Sequence, residues 1–364
     1  MASSVESLTR PLRVSIMWHG LPAYAAHLIR AVVGEPGIDL RVLATESPED
    51  PRYVEEVIGQ PVHWTDDQTI SDLAATDTAD VCFVSGWAFS ACNKFATAAR
   101  SRGTPVVAMI DNRWRGDLRQ RLGGVYFRAT MRKKIDYAWV PGSSATCLCR
   151  SLGLPSQVVI QGLYGGDSSL FKPSTAGVRP ARIGFVGQLI PRKGFDLLVA
   201  AFKQLREFAP EYELHVYGRG ELSPLAANVP GLILHPFAQP PIIAEAMRNF
   251  RIFVMPSRDD NWPLALHEAA LSGCTLVTTR AVGNAEELVR DTNGVVIPTI
   301  SGHALAAALR TVAAWPADQH AAASRVSRQL AEPFGPTRWR KEFVRLCTAA
   351  TSGRWKPTPP AAQG

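Results

Sequence analysis

The chain lacks most features that would place it outside the ordinary globular proteins. No window of its 364 residues reaches 18 uninterrupted apolar positions, which excludes a plain membrane-spanning helix. The first residues, MASSVESLTRPLR, carry Glu6 and lack the apolar run of a secretory signal, so a cytoplasmic location is expected. Cysteine is sparse: Cys82, Cys92, Cys147, Cys149, Cys274 and Cys347 are scattered, and the one close pair has an i,i+2 spacing that fits neither a zinc site nor a redox C-x-x-C motif. They are expected to be reduced and mostly buried, and no metal site is expected.

Net charge is absent over most of the length. The formal net charge is +7, and the segment 113–134 alone holds Arg113, Arg115, Arg119, Arg121, Arg128, Arg132, Lys133 and Lys134 against Asp117, or 8 − 1 = +7. The basicity is therefore local, which argues against nucleic acid as the partner. It fits a surface that draws in a phosphorylated substrate or an anionic membrane, with a solvated helix face as the plainer alternative. Trp114, Tyr126 and Phe127 interleave with the arginines, which favours the membrane surface.

What is present is a repeated β-α rhythm. Apolar runs at 13–18, 39–44, 81–85, 105–110, 137–140 and 158–160 alternate with amphipathic stretches, and the series restarts at 182–187, 213–218, 232–235, 252–257, 275–279 and 294–298. Such runs predict mainly parallel sheets covered on both faces. The fold class is therefore α/β, with two doubly wound, Rossmann-like domains facing across a cleft. Residues 1–165 form the first and 181–335 the second, joined by a Gly-, Ser- and Pro-rich linker at 166–180. Helices are expected at 301–315, 317–331 and 336–350. The last places Trp339, Phe343 and Leu346 on one stripe that packs back on the first domain, and residues 351–364 read as a disordered tail.

Ligands of such sheets sit beyond the carboxyl ends of the strands, so chemistry is sought in the strand-to-helix turns. In GFVGQLIPRKGF, Gly187 permits a tight turn, and Arg192 and Lys193 stand where a helix begins, an unfavourable place for cations unless an anion is shared there. In PSRDDNWPLALHEAALSGC, Asp260 lies in the turn and Glu268 on the helix that opens near Pro263. That helix is expected to bury Leu264, Ala270 and Leu271, leaving Glu268 without a packing reason to be acidic. Two carboxylates suit the vicinal hydroxyls of ribose and sugar, while helix-supporting surface acids are the alternative. The turn RAVGNAEELV offers the amides of Gly283 and Asn284 to a phosphate and Glu287 to a hydroxyl, and YGRGEL offers Gly218 and Arg219. In the first domain Gly20 precedes a helix, His19 reads as structural, and Asp111 and Asn112 end a strand as candidate substrate contacts.

The second domain resembles the nucleotide-binding domain of glycosyltransferase family 4, whose fold is the two-Rossmann GT-B type. GQLIPRKGFDLLVAAF is similar to that family's G-R-L-x-x-x-K-G-x-x-x-L-L-x-A-F segment, and PSRDDNWPLALHEAALSGCTLVTTRAVGNAEELVRDTNGVVIP to its P-S-x-x-E-G…E-A, G-G-x-x-E and N-G succession, four motifs in order over 184–298. The resemblance implies that Lys193 holds the donor diphosphate and that Glu268 binds ribose hydroxyls. Asp260 would take the first acid's place one methylene shorter, and the backbone of Asn261, Trp262, Pro263 and Leu264 would touch the transferred sugar. It further implies a retaining, metal-independent transferase working on a nucleotide-diphosphate sugar. UDP is expected before GDP, and the acceptor is expected to be a glycan, lipid-linked or other group in cell-surface polysaccharide or glycoconjugate synthesis, with the basic segment 113–134 placing the chain peripherally on the inner membrane face. Gln188 departs from the family's arginine beside the diphosphate, a loss of about 1.5–3 kcal/mol of leaving-group stabilisation unless Arg192 or an arginine of 113–134 substitutes. The family's histidine near Asp111 and Asn112 is also missing. Rival readings are a degenerate nucleotide-sugar binder, an epimerase of the same architecture and a phosphorylase, the last disfavoured by the short chain.

Overall fold

The computed structural model describes residues 10–174 and 177–352. The chain divides into two compact units, one formed by the residues up to Tyr164 together with those from Pro336 onward, the other by Gly165–Gly335.

In the first unit the order is β1 (Leu12–Trp18), α1 (Ala23–Arg30), β2 (Ile38–Ala44), α2 (Pro51–Ile58), β3 (His63–Trp64), α3 (Ile70–Thr76), β4 (Val81–Ser85), α4 (Ser90–Ser101), β5 (Val106–Met109), α5 (Leu118–Thr130), β6 (Tyr137–Val140), α6 (Ser143–Ser151) and β7 (Val159–Gln161). All pairings are parallel, in the order β3-β2-β1-β4-β5-β6-β7. The second unit runs β8 (Arg182–Val186), α7 (Phe195–Phe208), β9 (Glu213–Tyr217), β10 (Leu232–His235), α8 (Pro240–Arg248), β11 (Ile252–Met255), α9 (Leu264–Leu271), β12 (Thr275–Thr279), α10 (Ala285–Leu288), β13 (Gly294–Ile297), α11 (Gly302–Ala313) and α12 (Ala317–Ala331). Its sheet, again parallel, has the order β10-β9-β8-β11-β12-β13. Strands such as Val81–Ser85 and Ile252–Met255 are buried at every position, as helices on both faces require.

The last helix, α13 (Pro336–Ser352), belongs to the first unit. Trp339 lies 4.8 Å from Trp139 between ring centroids, and Phe343 stacks on Phe83 at 4.6 Å. The helix runs through Thr351 and Ser352, and the remainder of the expected tail, 353–364, lies outside the described residues. The stretch expected as a linker is counted into the second unit, where Phe171 is buried in the core and Arg179 donates to the carbonyl of Phe250 at 2.8 Å. All six thiols are free, and only Cys147 is exposed. Among the described residues no helix is long and apolar enough to cross a membrane.

Candidate functional site

Strand order locates the site. In the second sheet the chain winds from β8 outward to β10 on one side and from β11 outward to β13 on the other, so the winding reverses between β8 and β11. These two strands pair only through Ile252 with Ile183 and Phe253 with Gly184, although both run further toward their carboxyl ends. A crevice opens there, which is where ligands of doubly wound sheets bind.

Lys193 and Asp260 meet across that crevice. Lys193 stands on a 3-10 turn, Pro191–Lys193, closed by the left-handed Gly194 rather than inside the first turn of α7. Its ammonium lies 2.5 Å from Asp260 Oδ2, and the two side chains are only 16% and 10% exposed. Ser257 Oγ also donates to Asp260 at 3.4 Å. An ammonium has three N–H donors, so Asp260 fixes its position while two remain for a ligand. Gly194 is required beside it, since a methyl there would come within 2.1 Å of the Pro256 carbonyl oxygen.

The neighbouring turns are stitched together through backbone. Gly187 N–H donates to the Tyr217 carbonyl at 3.0 Å and Leu189 N–H to the Arg219 carbonyl at 3.0 Å. A methyl on Gly218 would sit 1.9 Å from the Gly187 carbonyl oxygen. Arg219 lies over the ring of Phe237 at 5.9 Å. The expectation that Gly283 offers its amide to a phosphate is corrected here: that N–H donates to the Asp260 carbonyl at 2.9 Å. Gly283 instead allows close approach, because a methyl there would lie 1.7 Å from the Asn261 carbonyl oxygen. The Asn284 amide donates to the Pro263 carbonyl at 3.0 Å, tying this turn to the 260–263 turn and leaving its own Oδ1 buried without a protein partner. Trp262 is buried against Phe334 at 5.6 Å, and Leu264, expected inside, is only half-buried. Glu287 is half-buried near the same edge.

Gln188 is exposed, as is Arg192, whose guanidinium donates to the Asp259 carbonyl at 3.0 Å. A further cation unmarked in the sequence, Arg258, pairs with Asp196 at 2.7 Å and hydrogen-bonds through its amide to the Arg192 carbonyl at 2.8 Å. Its position, two residues before Asp260 in the same turn, was the available signal.

Glu268 is neither a surface acid nor a salt-bridge partner. Burial raises its carboxyl pKa to about 7, and a methyl at Gly166 would lie 3.1 Å from its Cγ. Next to it, His267 accepts from Gly166 N–H at 2.8 Å and reaches the Ala331 carbonyl at 2.9 Å, and burial lowers its pKa to about 4. Because the native pKa of Glu268 exceeds its ordinary value of 4.5, the folded state holds this proton more tightly than the unfolded one. Stability therefore falls as pH rises between 4.5 and about 7 and is level above that. Glu268→Gln should raise stability by about 2–3 kcal/mol near pH 8 and leave it unchanged near pH 4. Thermal unfolding at the two pH values checks this, and an equal shift at both would contradict it.

In the first unit the winding reverses between β1 and β4, and His19 stands there. Its amide donates to Ser85 Oγ at 2.7 Å, its ring stacks on Phe89 at 4.0 Å, and Nδ1 lies 2.9 Å from Thr45 Oγ1. Gly20 follows with φ of 63° and open space around it. Past β5, Asp111 is half-buried and Asn112 exposed. Burial raises the Asp111 carboxyl pKa, and the Tyr164 hydroxyl lies 3.5 Å from its Oδ2. The aromatics read together in the basic segment separate: Phe127 is fully buried, Trp114 half-buried, and Tyr126 58% exposed.

A depression of about 560 Å³ lies between Pro173 and α12, and one of about 530 Å³ beside α8 is lined by His215, Tyr217 and His235; neither includes Lys193, Asp260 or Glu268. Residues 180–314 match the family model described as Glycosyl transferases group 1. This stretch is similar to a group 1 glycosyltransferase domain. It contains every crevice residue from Gly187 to Glu287. Among solved structures, Anabaena Alr3699/HepE in complex with UDP and glucose is 14% identical, with 92% of this chain and 99% of that one covered and a TM-score of 0.76. A glycosyltransferase from Rickettsia africae is 10% identical over 95% and 100% of the two chains, TM-score 0.75. Sucrose-phosphate synthase from Thermosynechococcus elongatus is 12% identical over 94% and 100%, TM-score 0.71. These likenesses show the GT-B fold. No curated protein matches the chain in sequence.

Proposed function

We propose that the group 1 domain binds a nucleoside-diphosphate sugar, UDP before GDP, and that the chain transfers the sugar with retention to a glycan or lipid-linked acceptor in surface glycoconjugate synthesis. The observation that carries this is the Lys193–Asp260 pair, held at 2.5 Å over the crevice of the sheet among turns that admit only glycine at 194, 218 and 283. UDP is favoured because the Anabaena neighbour is described with UDP and glucose.

In this reading two N–H groups of Lys193 and the uncapped amino end of α9 stabilise negative charge on the departing diphosphate. The anomeric carbon acquires positive character as its bond to the phosphate oxygen breaks. The acceptor oxygen bonds to that carbon on the same face, and its proton passes to the departing phosphate oxygen. Glu268 accepts from the ribose hydroxyls. Asp111 and Asn112 take hydroxyls on the acceptor side, and the basic segment 113–134 faces an anionic surface that presents the acceptor. Fixed cations meet the leaving group's charge without a metal.

The exposed neutral Gln188 favours one second reading, a donor-binding relative without turnover. Incubation with UDP-sugars and candidate acceptors, followed by NMR of the anomeric proton, separates the readings. Transfer yields a product with the donor's configuration. An inverted product defeats retention, sugar interconversion without acceptor indicates an epimerase, and UDP binding without any product indicates the degenerate binder.

A further inference from the structure

The helix α5 carries an apolar face that stays exposed among the described residues. Leu118 is 75% exposed, Leu122 71%, and Val125 and Tyr126 58% each. At about 100° per residue these four fall within a single stripe, and Phe127, fully buried in the first unit's core, lies on the opposite side. The helix is thus anchored by one face while the other presents large apolar side chains to water, an arrangement that needs a partner.

Charge identifies the partner's sign. Arg119 and Arg121, both exposed, flank the stripe on its two sides. Arg115, Arg128 and Lys133 are exposed within or beside the same helix. Packing two copies of this face together would bring like charges into contact, so a second copy of the chain is disfavoured. A single convex stripe of leucine, valine and tyrosine bordered by arginine suits the boundary between headgroups and acyl chains, where an amphipathic helix lies in the plane. An acidic protein partner would meet the arginines but would need its own groove to accommodate the stripe.

We infer that α5 docks the first unit on a bilayer surface bearing anionic lipid headgroups, with Leu118, Leu122, Val125 and Tyr126 entering the interface and Arg119 and Arg121 at the headgroup level. This rests on the reading of 113–134 as facing an anionic surface and not on the donor chemistry.

The test is co-sedimentation of the full chain with vesicles of phosphatidylcholine alone and of phosphatidylcholine mixed with phosphatidylglycerol. The protein should bind the mixed vesicles, and salt should weaken that binding. Leu118→Ser/Leu122→Ser should lower it by about tenfold, as should Arg119→Gln/Arg121→Gln. A UDP-dependent thermal shift unchanged in both variants shows that they fold and that the donor site is separate. Equal binding to both vesicle types, no binding, or full retention by the leucine variant overturns the inference. So does a concentration-dependent dimer that the leucine variant abolishes, which would assign the face to a second copy. If vesicles bind as expected while UDP gives no shift to the parent protein, the donor reading fails and the docking stands.

Discussion

Replacing Lys193 with alanine is expected to lower transfer by about 10²–10³-fold, the usual cost of removing a group aimed at charge developing in a transition state. The same change strands Asp260, whose side chain is 10% exposed and whose ion-pair partner at 2.5 Å is gone. Leaving a buried carboxylate unpaired should destabilise the second unit by about 3 kcal/mol. These two effects are separable. Lys193→Ala combined with Asp260→Ala removes the stranded charge and should recover most of the stability while recovering none of the transfer. Denaturant unfolding and initial transfer rates on the parent and the two variants decide the matter. Recovery of transfer in the double variant would mean that the ammonium only balances Asp260 and never meets the donor.

The second large effect is expected at Gly218. An alanine methyl would have to occupy a point 1.9 Å from the Gly187 carbonyl oxygen. The two turns cannot simply part, because Gly187 and Leu189 donate to Tyr217 and Arg219 across the same seam. Gly218→Ala should therefore cost about 3 kcal/mol of stability and abolish UDP binding, because displacement of the 187–190 turn carries Lys193 with it. Gly123→Ala on α5 is the control. Beyond its chain neighbours and its own helix backbone, no atom lies within 4 Å of that added methyl, and alanine gains about 1 kcal/mol over glycine inside a helix. Titration calorimetry with UDP on both variants checks the contrast, and normal UDP affinity in Gly218→Ala would contradict the close seam.

The strands were readable because a parallel sheet buried on both faces leaves unbroken apolar runs, as at Val81–Ser85 and Ile252–Met255. His63–Trp64 was missed because two residues at a sheet edge make no pattern. The pairing of Lys193 with Asp260 was not readable, since 67 positions separate them and only the adjacency of β8 and β11 brings them together. The internal use of the Gly283 amide was hidden for the same reason. On α5 the sequence signalled arginines mixed with aromatics, yet the helical period sends Phe127 inward and Leu118 and Leu122 outward. Leu264 illustrates the converse: an apolar residue in the first turn of a helix can stand half-buried at the helix's end instead of in the core.

The return of α13 to the first unit sets an order on synthesis. Phe83 and Trp139 leave the ribosome early, but the rings that cover them, Trp339 and Phe343, come only after all of Gly165–Gly335 has been made. At about 5–20 residues per second that interval is on the order of ten seconds or more. Throughout it the nascent first unit holds bare aromatic surface, while the inserted unit, whose sequence is continuous, can close on its own. The unit that begins the chain is thus the last to be completed, and chaperone demand should fall on that interval.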